Sequence, residues 1–167
     1  MPAILELLLI GWQLCMNSLF SKKCIYGIKA LLHLSKEQGF INSAVISEKQ
    51  NIPHAFLRNI LLELAKRGLV YMKKGKEGGY KLAKPAEEVT MYAIVESLDG
   101  PVFSMPCVDF KAPEKCADCI SELSCPIKNT MIKVKTQIIE VLKETNLKNA
   151  SPEILNTIQV KVVNCIV

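Results

Sequence analysis

Apolar residues in the first third of the chain recur every three or four positions, which is the spacing of amphipathic helices. The first run covers Lys22 to Gln38 and stops before Gly39, so we predict a helix there. A shorter helix is predicted over Ser43–Gln50, with Ser43 as its cap. A tight turn then leads into Pro53, which we place at the first position of a third helix.

The third helix is predicted to continue until Gly68, and it divides into two faces. Its predicted buried stripe consists of Leu57, Ile60, Leu61 and Leu64. The residues that this leaves on the other faces are His54, Ala55, Arg58, Asn59 and Leu62. Two helices joined by a short turn are typical of a helix-turn-helix unit, whose second helix enters the major groove of DNA.

Two short strands, Leu69–Lys73 and Gly79–Ala83, flank a polar segment that contains glycine, and this pattern predicts a β-hairpin. A fourth helix is predicted over Met91–Leu98, capped by Thr90 and ended near Gly100. Three helices, a hairpin and another helix are the elements of a winged helix. The fold class is therefore mainly α with a small β wing, in a DNA-binding domain over residues 17–100.

The region after Gly100 divides into a loop, a long helix and a tail. Residues 101–125 have no periodicity and are predicted to form a cysteine-rich loop, while a helix beginning at Pro126 is assigned to residues 126–148. Its apolar seam consists of Ile127, Met131, Val134, Ile138 and Val141. Such a seam favours a partner helix in a homodimer, the alternative being packing onto its own domain. In the segment 149–167, Ser151-Pro152-Glu153 can begin a short helix.

Residues 1–16 are apolar apart from Glu6 and Gln13, but they are too few to span a bilayer comfortably. They also lack the charged start and cleavage site of a secretory leader. We interpret them as an extension or a start-site artefact, since Met16 could equally serve as the initiator.

Positive charge is concentrated on the predicted helix-turn-helix and wing. The chain carries +5 overall, whereas residues 51–85 alone hold eight basic and two acidic side chains, or +6. Such a patch suits the phosphates of double-stranded DNA, although a solvated surface is the alternative. Arg58 is the best candidate for reading a base. The residues predicted to contact DNA are His54, Ala55, Arg58, Asn59, Lys73, Lys74, Lys76, Gly78 and Tyr80.

Seven cysteines without a recognisable leader favour a reducing compartment, so we expect a cytoplasmic protein with no membrane partner. Four of them, Cys107, Cys116, Cys119 and Cys125, fall within the loop. Thiolates of this density suit zinc, an iron-sulfur cluster or a metal-free thiol switch, and the spacing leaves all three open. Cys15, Cys24, Cys165 and His33 are interpreted as structural.

Several motifs resemble one known family, the Rrf-two winged helix-turn-helix regulators, which include IscR-, NsrR- and CymR-like branches. The motifs are Tyr26-Gly27-Ile28-Lys29-Ala30-Leu31-Leu32, Leu64-Ala65-Lys66-Arg67-Gly68-Leu69-Val70 and Gly75-Lys76-Glu77-Gly78-Gly79-Tyr80-Lys81-Leu82-Ala83, followed by Pro85. The resemblance covers about residues 21–142. It implies a wing in the minor groove, a long helix that crosses to the partner subunit, and three cysteine ligands in the loop.

The family's ligand spacing selects Cys107, Cys119 and Cys125, with Cys116 as an alternative or fourth ligand. IscR-like members complete the site with a histidine where Lys128 stands here, and NsrR-like members use an acid where Ile25 stands. Neither fourth ligand carries over, which leaves Cys116, Cys24 or an exogenous ligand. A two-iron and a four-iron cluster both stay open, and the resemblance favours a cluster over zinc.

The function expected from these features is repression of transcription at a palindromic operator, gated by a cluster that senses iron, redox or nitric oxide status. A cluster-free regulator with a thiol or partner-protein switch is the main alternative. A zinc-stabilised interaction module and a redox protein are more distant ones. We expect no enzymatic activity and no small-molecule substrate, because the sequence has no nucleotide fingerprint or catalytic triad and only two histidines.

Overall fold

A computed structural model describes residues 19–75, 78–102, 106–108 and 125–150. The helices are α1 (Lys22–Leu34), α2 (Ser43–Gln50), α3 (His54–Lys66), α4 (Met91–Leu98) and α5 (Pro126–Glu144), and the strands are β1 (Val70–Lys73) and β2 (Gly79–Leu82). Short 3₁₀ turns occupy Ala86–Glu88 and Pro106–Val108. This order confirms the predicted fold class. The expectations for residues 1–16 and for Ser151-Pro152-Glu153 lie outside the described residues.

Helix α1 ends four residues before the predicted Gln38. Its amphipathic run continues to Leu34, after which the backbone tightens into two 3₁₀-type bonds, from Lys36 N to His33 O and from Glu37 N to Leu34 O. The chain then turns at Gly39, whose φ is +91°. The apolar spacing located the helix correctly, but it did not distinguish the last α-helical turn from this tighter one.

The predicted cap of α2 and the predicted start of α3 are each wrong by one residue, whereas the predicted bounds of α2 are confirmed. The cap of α2 is Asn42, whose side-chain oxygen accepts from Ala44 N at 2.9 Å, and Ser43 is the first helical residue. Pro53 is extended, with ψ of 123°, and caps α3, so that helix begins at His54. In both places two neighbouring residues suit a helix start, so the sequence pattern alone does not distinguish them.

The core lies where α3 packs between α1 and α4. The predicted stripe of Leu57, Ile60, Leu61 and Leu64 is fully buried there. Facing it are Cys24, Ala30 and Leu31 of α1 together with Ile94, Val95 and Leu98 of α4. Because one whole face of α3 is used in this packing, its other face must point outward.

The wing is an antiparallel pair in which Val70 faces Leu82 and Met72 faces Tyr80. A third segment joins it, since Ile41 and Tyr80 exchange backbone hydrogen bonds of 2.9 and 2.8 Å. The sequence did not predict this bridge. It anchors β2 to the turn before α2, so the wing is fixed to the helix-turn-helix as well as to the end of α3.

Gly79 is required at this crossing because a Cβ atom there would collide with the backbone carbonyl of Ile41. We expect Gly79→Ala to destabilise the fold by about 1–3 kcal/mol, since the wing must shift away from Ile41. Lys81→Ala, at an exposed position of the same strand, should change stability by less than about 0.5 kcal/mol. Urea unfolding of both variants measures the difference, and equal midpoints would contradict the packing described.

Candidate nucleic-acid interface and cysteine loop

The outward face of α3 carries the polar residues of the candidate interface. Ala55, Arg58 and Asn59 are exposed, while the buried stripe lies on the opposite side of the helix. Their positions near the start of α3 agree with the way recognition helices present their N-terminal residues to base edges. The structure therefore brings these three predicted residues together on one accessible surface.

The turn between α2 and α3 sets the angle at which this surface is presented. Asn51 adopts a left-handed conformation, with φ of 51°, which ends α2 sharply. The next residue, Ile52, is buried, and its backbone is held by Ser47, which accepts from Ile52 N at 3.0 Å and donates its hydroxyl to Ile52 O at 2.7 Å. Hydrogen bonds and burial together make this a rigid turn.

His54 lies at the first position of α3 and is exposed. Its Nε2 is 3.0 Å from the hydroxyl of Ser43, so the imidazole links the starts of α2 and α3. This contact uses one ring nitrogen, and it holds the ring at the edge of the surface formed by Ala55, Arg58 and Asn59.

The wing carries two exposed lysines. Lys73 ends β1, with its ammonium 5.9 Å from the centre of the Phe40 ring, and Lys74 follows it. The hairpin turns at Gly75, whose φ is +110°, and a Cβ at position 78 would collide with the carbonyl oxygens of Lys73 and Gly75. Lys76 lies outside the described residues.

The expectation that Tyr80 contacts DNA conflicts with its position. Its side chain is only 7% exposed and belongs to the core, and its backbone pairs with both Met72 and Ile41. Alternation along β2 instead turns Lys81 outward. Tyr80 is therefore a packing residue of the wing.

Phe56 is a residue of this surface that the sequence reasoning missed. It is 41% exposed and makes an edge-to-face contact with Tyr26 of α1, with ring centres 5.9 Å apart. The signal was present in the sequence, because Phe56 is a large apolar residue close to the candidate base-reading positions but outside the buried stripe. An exposed aromatic ring held in place by a neighbour can contact the methyl groups of thymine.

The structure describes two of the four predicted loop cysteines. Cys107 and Cys125 are half-buried and are not joined in a disulfide, while Cys116 and Cys119 lie outside the described residues. Cys125 caps the start of α5, and Cys107 lies in the short 3₁₀ turn that packs against the same helix. Within the described part of the chain, no three potential metal ligands are grouped together.

Cys24 is buried in the core, as predicted for a structural cysteine. Burial, together with the nearby negative charge of Asp99, raises its pKa to about 12. Asp99 is itself held by Ser21, which donates both its backbone N–H, at 2.8 Å, and its hydroxyl. Because a metal ligand must be a thiolate, the burial that raises this pKa weighs against Cys24 as a fourth ligand. His33 is buried too, in agreement with its structural interpretation.

The apolar seam of α5 is not covered by the described part of its own chain. Ile127 and Val141 are 59% and 61% exposed, and Met131, Val134 and Ile138 are only half-buried. The polar Lys135 is the buried position of the helix instead. The seam is thus available to another helix.

The end of α5 is attached to the winged helix by backbone hydrogen bonds. Thr145 O accepts from Met91 N at 2.8 Å, and Leu147 N donates to Val89 O at 3.1 Å. Lys148 and Glu87 add an exposed ion pair of 2.7 Å, which lowers the pKa of Glu87. These contacts join the long helix to the segment between the wing and α4.

Comparison with known families accounts for this combination of elements. Residues 20–152 match the profile of Rrf2, described as an iron-dependent transcriptional regulator. The chain belongs to the Rrf2 family. The match covers the winged helix, the cysteine loop and α5, so it confirms the resemblance that the sequence motifs indicated.

Curated relatives of this Rrf2 protein are transcriptional regulators. An rrf2-like HTH-type regulator of Rhodobacter capsulatus is 30% identical over 136 residues, covering 78% of this chain and 91% of its own. The HTH-type regulator NsrR of Oceanobacillus iheyensis is 29% identical over 126 residues, or 74% of this chain and 83% of its own. Regulators of this kind are not enzymes, which confirms the expectation that this chain is not one.

Solved structures agree with this assignment. CymR, the global cysteine regulator of B. subtilis, superposes with a TM-score of 0.64 at 26% identity, covering 78% of this chain and 93% of its own. IscR of T. potens superposes with a TM-score of 0.60 at 25% identity, covering 81% and 87%. The Rrf2 protein is therefore a DNA-binding regulator of the winged-helix type. No helix in its described ranges has the length and apolar content needed to cross a membrane.

Proposed function

We propose that this Rrf2 protein is a cytoplasmic, homodimeric repressor whose affinity for a palindromic operator is set by a cysteine-ligated iron-sulfur cluster. DNA binding is supported most directly by the exposure of Arg58 and Asn59 on one face of α3. The wing adds the exposed side chains of Lys73 and Lys74. The basic excess of residues 51–85 supports the same interface.

The two parts of this interface have different roles. On α3, Arg58 is the residue suited to pair with the O6 and N7 atoms of a guanine, with Asn59 beside it. In the wing, Lys73, Lys74 and Lys76 neutralise phosphates, which supplies affinity for DNA of any sequence. His54, Ala55 and the backbone at Gly78 complete the surface, and Phe56 adds an apolar contact.

Dimerisation follows from the uncovered seam of α5. Pairing two such helices would bury Ile127 and Val141, which are exposed in the single chain. A dimer with two-fold symmetry would place two α3 helices at a fixed spacing, which must match the spacing of the two operator half-sites. Any change in the angle of α5 would alter this spacing.

The cluster would be held by Cys107, Cys119 and Cys125, with Cys116 as an alternative or fourth ligand. The half-buried cysteines Cys107 and Cys125, which are not in a disulfide, fit this role, because thiolates are the usual protein ligands of iron-sulfur clusters. The start of α5 also favours negative charge at Cys125. When bound, the cluster would supply an iron centre that responds to iron supply, oxidants or nitric oxide. The family description and the relatives NsrR and IscR support this choice.

A cluster-free thiol switch is the second candidate. The structural similarity to CymR, a cysteine regulator, favours it, and it would use the same cysteines without metal. Both candidates require the loop to act on DNA affinity through α5, since Cys125 caps that helix and the Cys107 turn packs against it. The two candidates differ in whether the thiols ligate an iron-sulfur cluster or act without metal.

Arg58→Ala tests base recognition. It should reduce discrimination at one operator position by about 1–3 kcal/mol, whereas the matched Lys74→Ala should weaken all sequences alike and lower the salt slope by about 1. Binding of both variants to a selected operator and its single-base substitutions, measured at several salt concentrations, separates the two roles. If Arg58→Ala kept the wild-type order of preference among these sequences, Arg58 would not read a base.

Substitution of the cysteines tests the cofactor. Protein purified without oxygen should absorb in the visible and contain matched iron and sulfide. Cys107→Ala, Cys119→Ala and Cys125→Ala should each lose both while remaining folded dimers. The matched control Cys24→Ala should stay coloured, because that thiol is buried and protonated.

Two results would change the assignment of the cysteine loop. Loss of colour in Cys116→Ala with retention in Cys119→Ala would exchange those two ligands. A colourless wild-type protein would instead favour the thiol switch.

A further inference from the structure

Lys135 lies in the middle of α5, yet its side chain is only 8% exposed. Its ammonium donates a hydrogen bond of 2.8 Å to the backbone carbonyl of Val108, 27 residues earlier in the chain. Its neighbour Lys133 is exposed. The position is unusual, because lysine is rarely buried unless its charge is satisfied.

Because Lys135 is buried, its hydrogen bond to Val108 restrains the turn that contains Cys107. Removing an ammonium from water is costly unless hydrogen bonds compensate, so the hydrogen bond to the Val108 carbonyl offsets part of the cost of burying Lys135. Val108 is itself buried, with 2% of its side chain exposed. The turn over Pro106–Val108 and the middle of α5 therefore hold each other in position.

Val108, whose carbonyl accepts the hydrogen bond from Lys135, directly follows Cys107 in the chain. Adjacent Cα atoms are only about 3.8 Å apart, so a shift of the Cys107 backbone moves the Val108 carbonyl with it. Further along α5, about 15 Å from Lys135 at the helical rise, Thr145 accepts from Met91 of the winged helix at 2.8 Å. A continuous path thus runs from Cys107 through Lys135 and α5 to the start of α4.

We propose that Lys135 is a positioning residue that ties the Cys107 turn to α5 and so transmits the state of the cysteine loop to the DNA-reading surface. The transmission rests on the proposed function, but the tie itself rests only on the contacts between Lys135 and Val108. Two measurements therefore test the tie and the transmission separately.

The tie is tested by the reactivity of Cys107 in the full-length, reduced, metal-free protein. Lys135→Met keeps the length of the side chain but removes its donor, so the turn should open more often and iodoacetamide should alkylate Cys107 about tenfold faster. Lys133→Met is the matched control and should leave the rate unchanged. The buried Cys24 thiol serves as the internal reference for each sample, with modified peptides quantified by mass spectrometry.

A second variant guards against a general effect on folding. Lys135→Arg retains a cationic donor and should keep the rate of Cys107 alkylation within about twofold of wild type. If Lys135→Met and wild type reacted at the same rate, the tie would be overturned. Faster reaction of Cys24 in the same sample would also count against it, because the core would then have opened.

The transmission is tested by the ratio of two operator affinities. One is measured with the iron-sulfur cluster bound to the loop, and the other after a chelator has removed the cluster. Lys135→Met should reduce this ratio towards one, while Lys133→Met should keep the wild-type value. An unchanged ratio in Lys135→Met would overturn the transmission. A wild-type ratio of one would contradict the proposed gating of the regulator, and the alkylation rates would still decide whether the tie exists.

Discussion

The burial of one face of α3 is the constraint on which the rest of the molecule depends. Leu57, Ile60, Leu61 and Leu64 are almost completely removed from solvent between α1 and α4. Truncating one such side chain typically costs about 2–5 kcal/mol, a large part of the stability of a small domain. This packing fixes the rotation of the helix about its axis, and with it the direction in which Arg58 and Asn59 point. The buried core therefore determines which residues of α3 face outward and can contact DNA.

The wing and the long helix are placed by backbone contacts with this core. Gly68, with φ of +73°, ends the third helix and directs the chain into the first strand, and the bridge from Ile41 to Tyr80 holds the second strand. The hydrogen bonds of Thr145 and Leu147 attach α5 in the same way. Backbone contacts depend little on side-chain identity, which is consistent with the overall superposition of solved structures that are only 25–26% identical.

Local periodicity was sufficient to predict the helices, the hairpin and the buried stripe of α3. Local periodicity did not predict the burial of a residue that is held by a long-range contact. Tyr80 lies in a motif that resembles a DNA-contacting wing, but the bridge to Ile41, 39 residues away, draws it into the core. The cap of α2 and the first residue of α3 each lie one position from the prediction, because two adjacent residues at each place suit a helix start.

The cysteine loop was the least predictable part of the site. It has no apolar period, so its sequence showed which thiols were available but not where they lie. Lys135 was equally hidden, because the sequence presents it as an ordinary surface lysine beside Lys133. Only the fold shows that it is buried against Val108 and is thus part of the link between the loop and α5.

The proposed function requires the cysteine loop to set the affinity of the α3 and wing surface for DNA through a bound cluster. Its most direct test is the operator dissociation constant of one oxygen-free preparation, measured at fixed salt before and after the cluster is removed. Couplings between sites usually amount to about 1–3 kcal/mol, so removal of the cluster should change the dissociation constant by at least about fivefold. The same dissociation constant in both states, with iron and sulfide confirmed present and then absent, would contradict it.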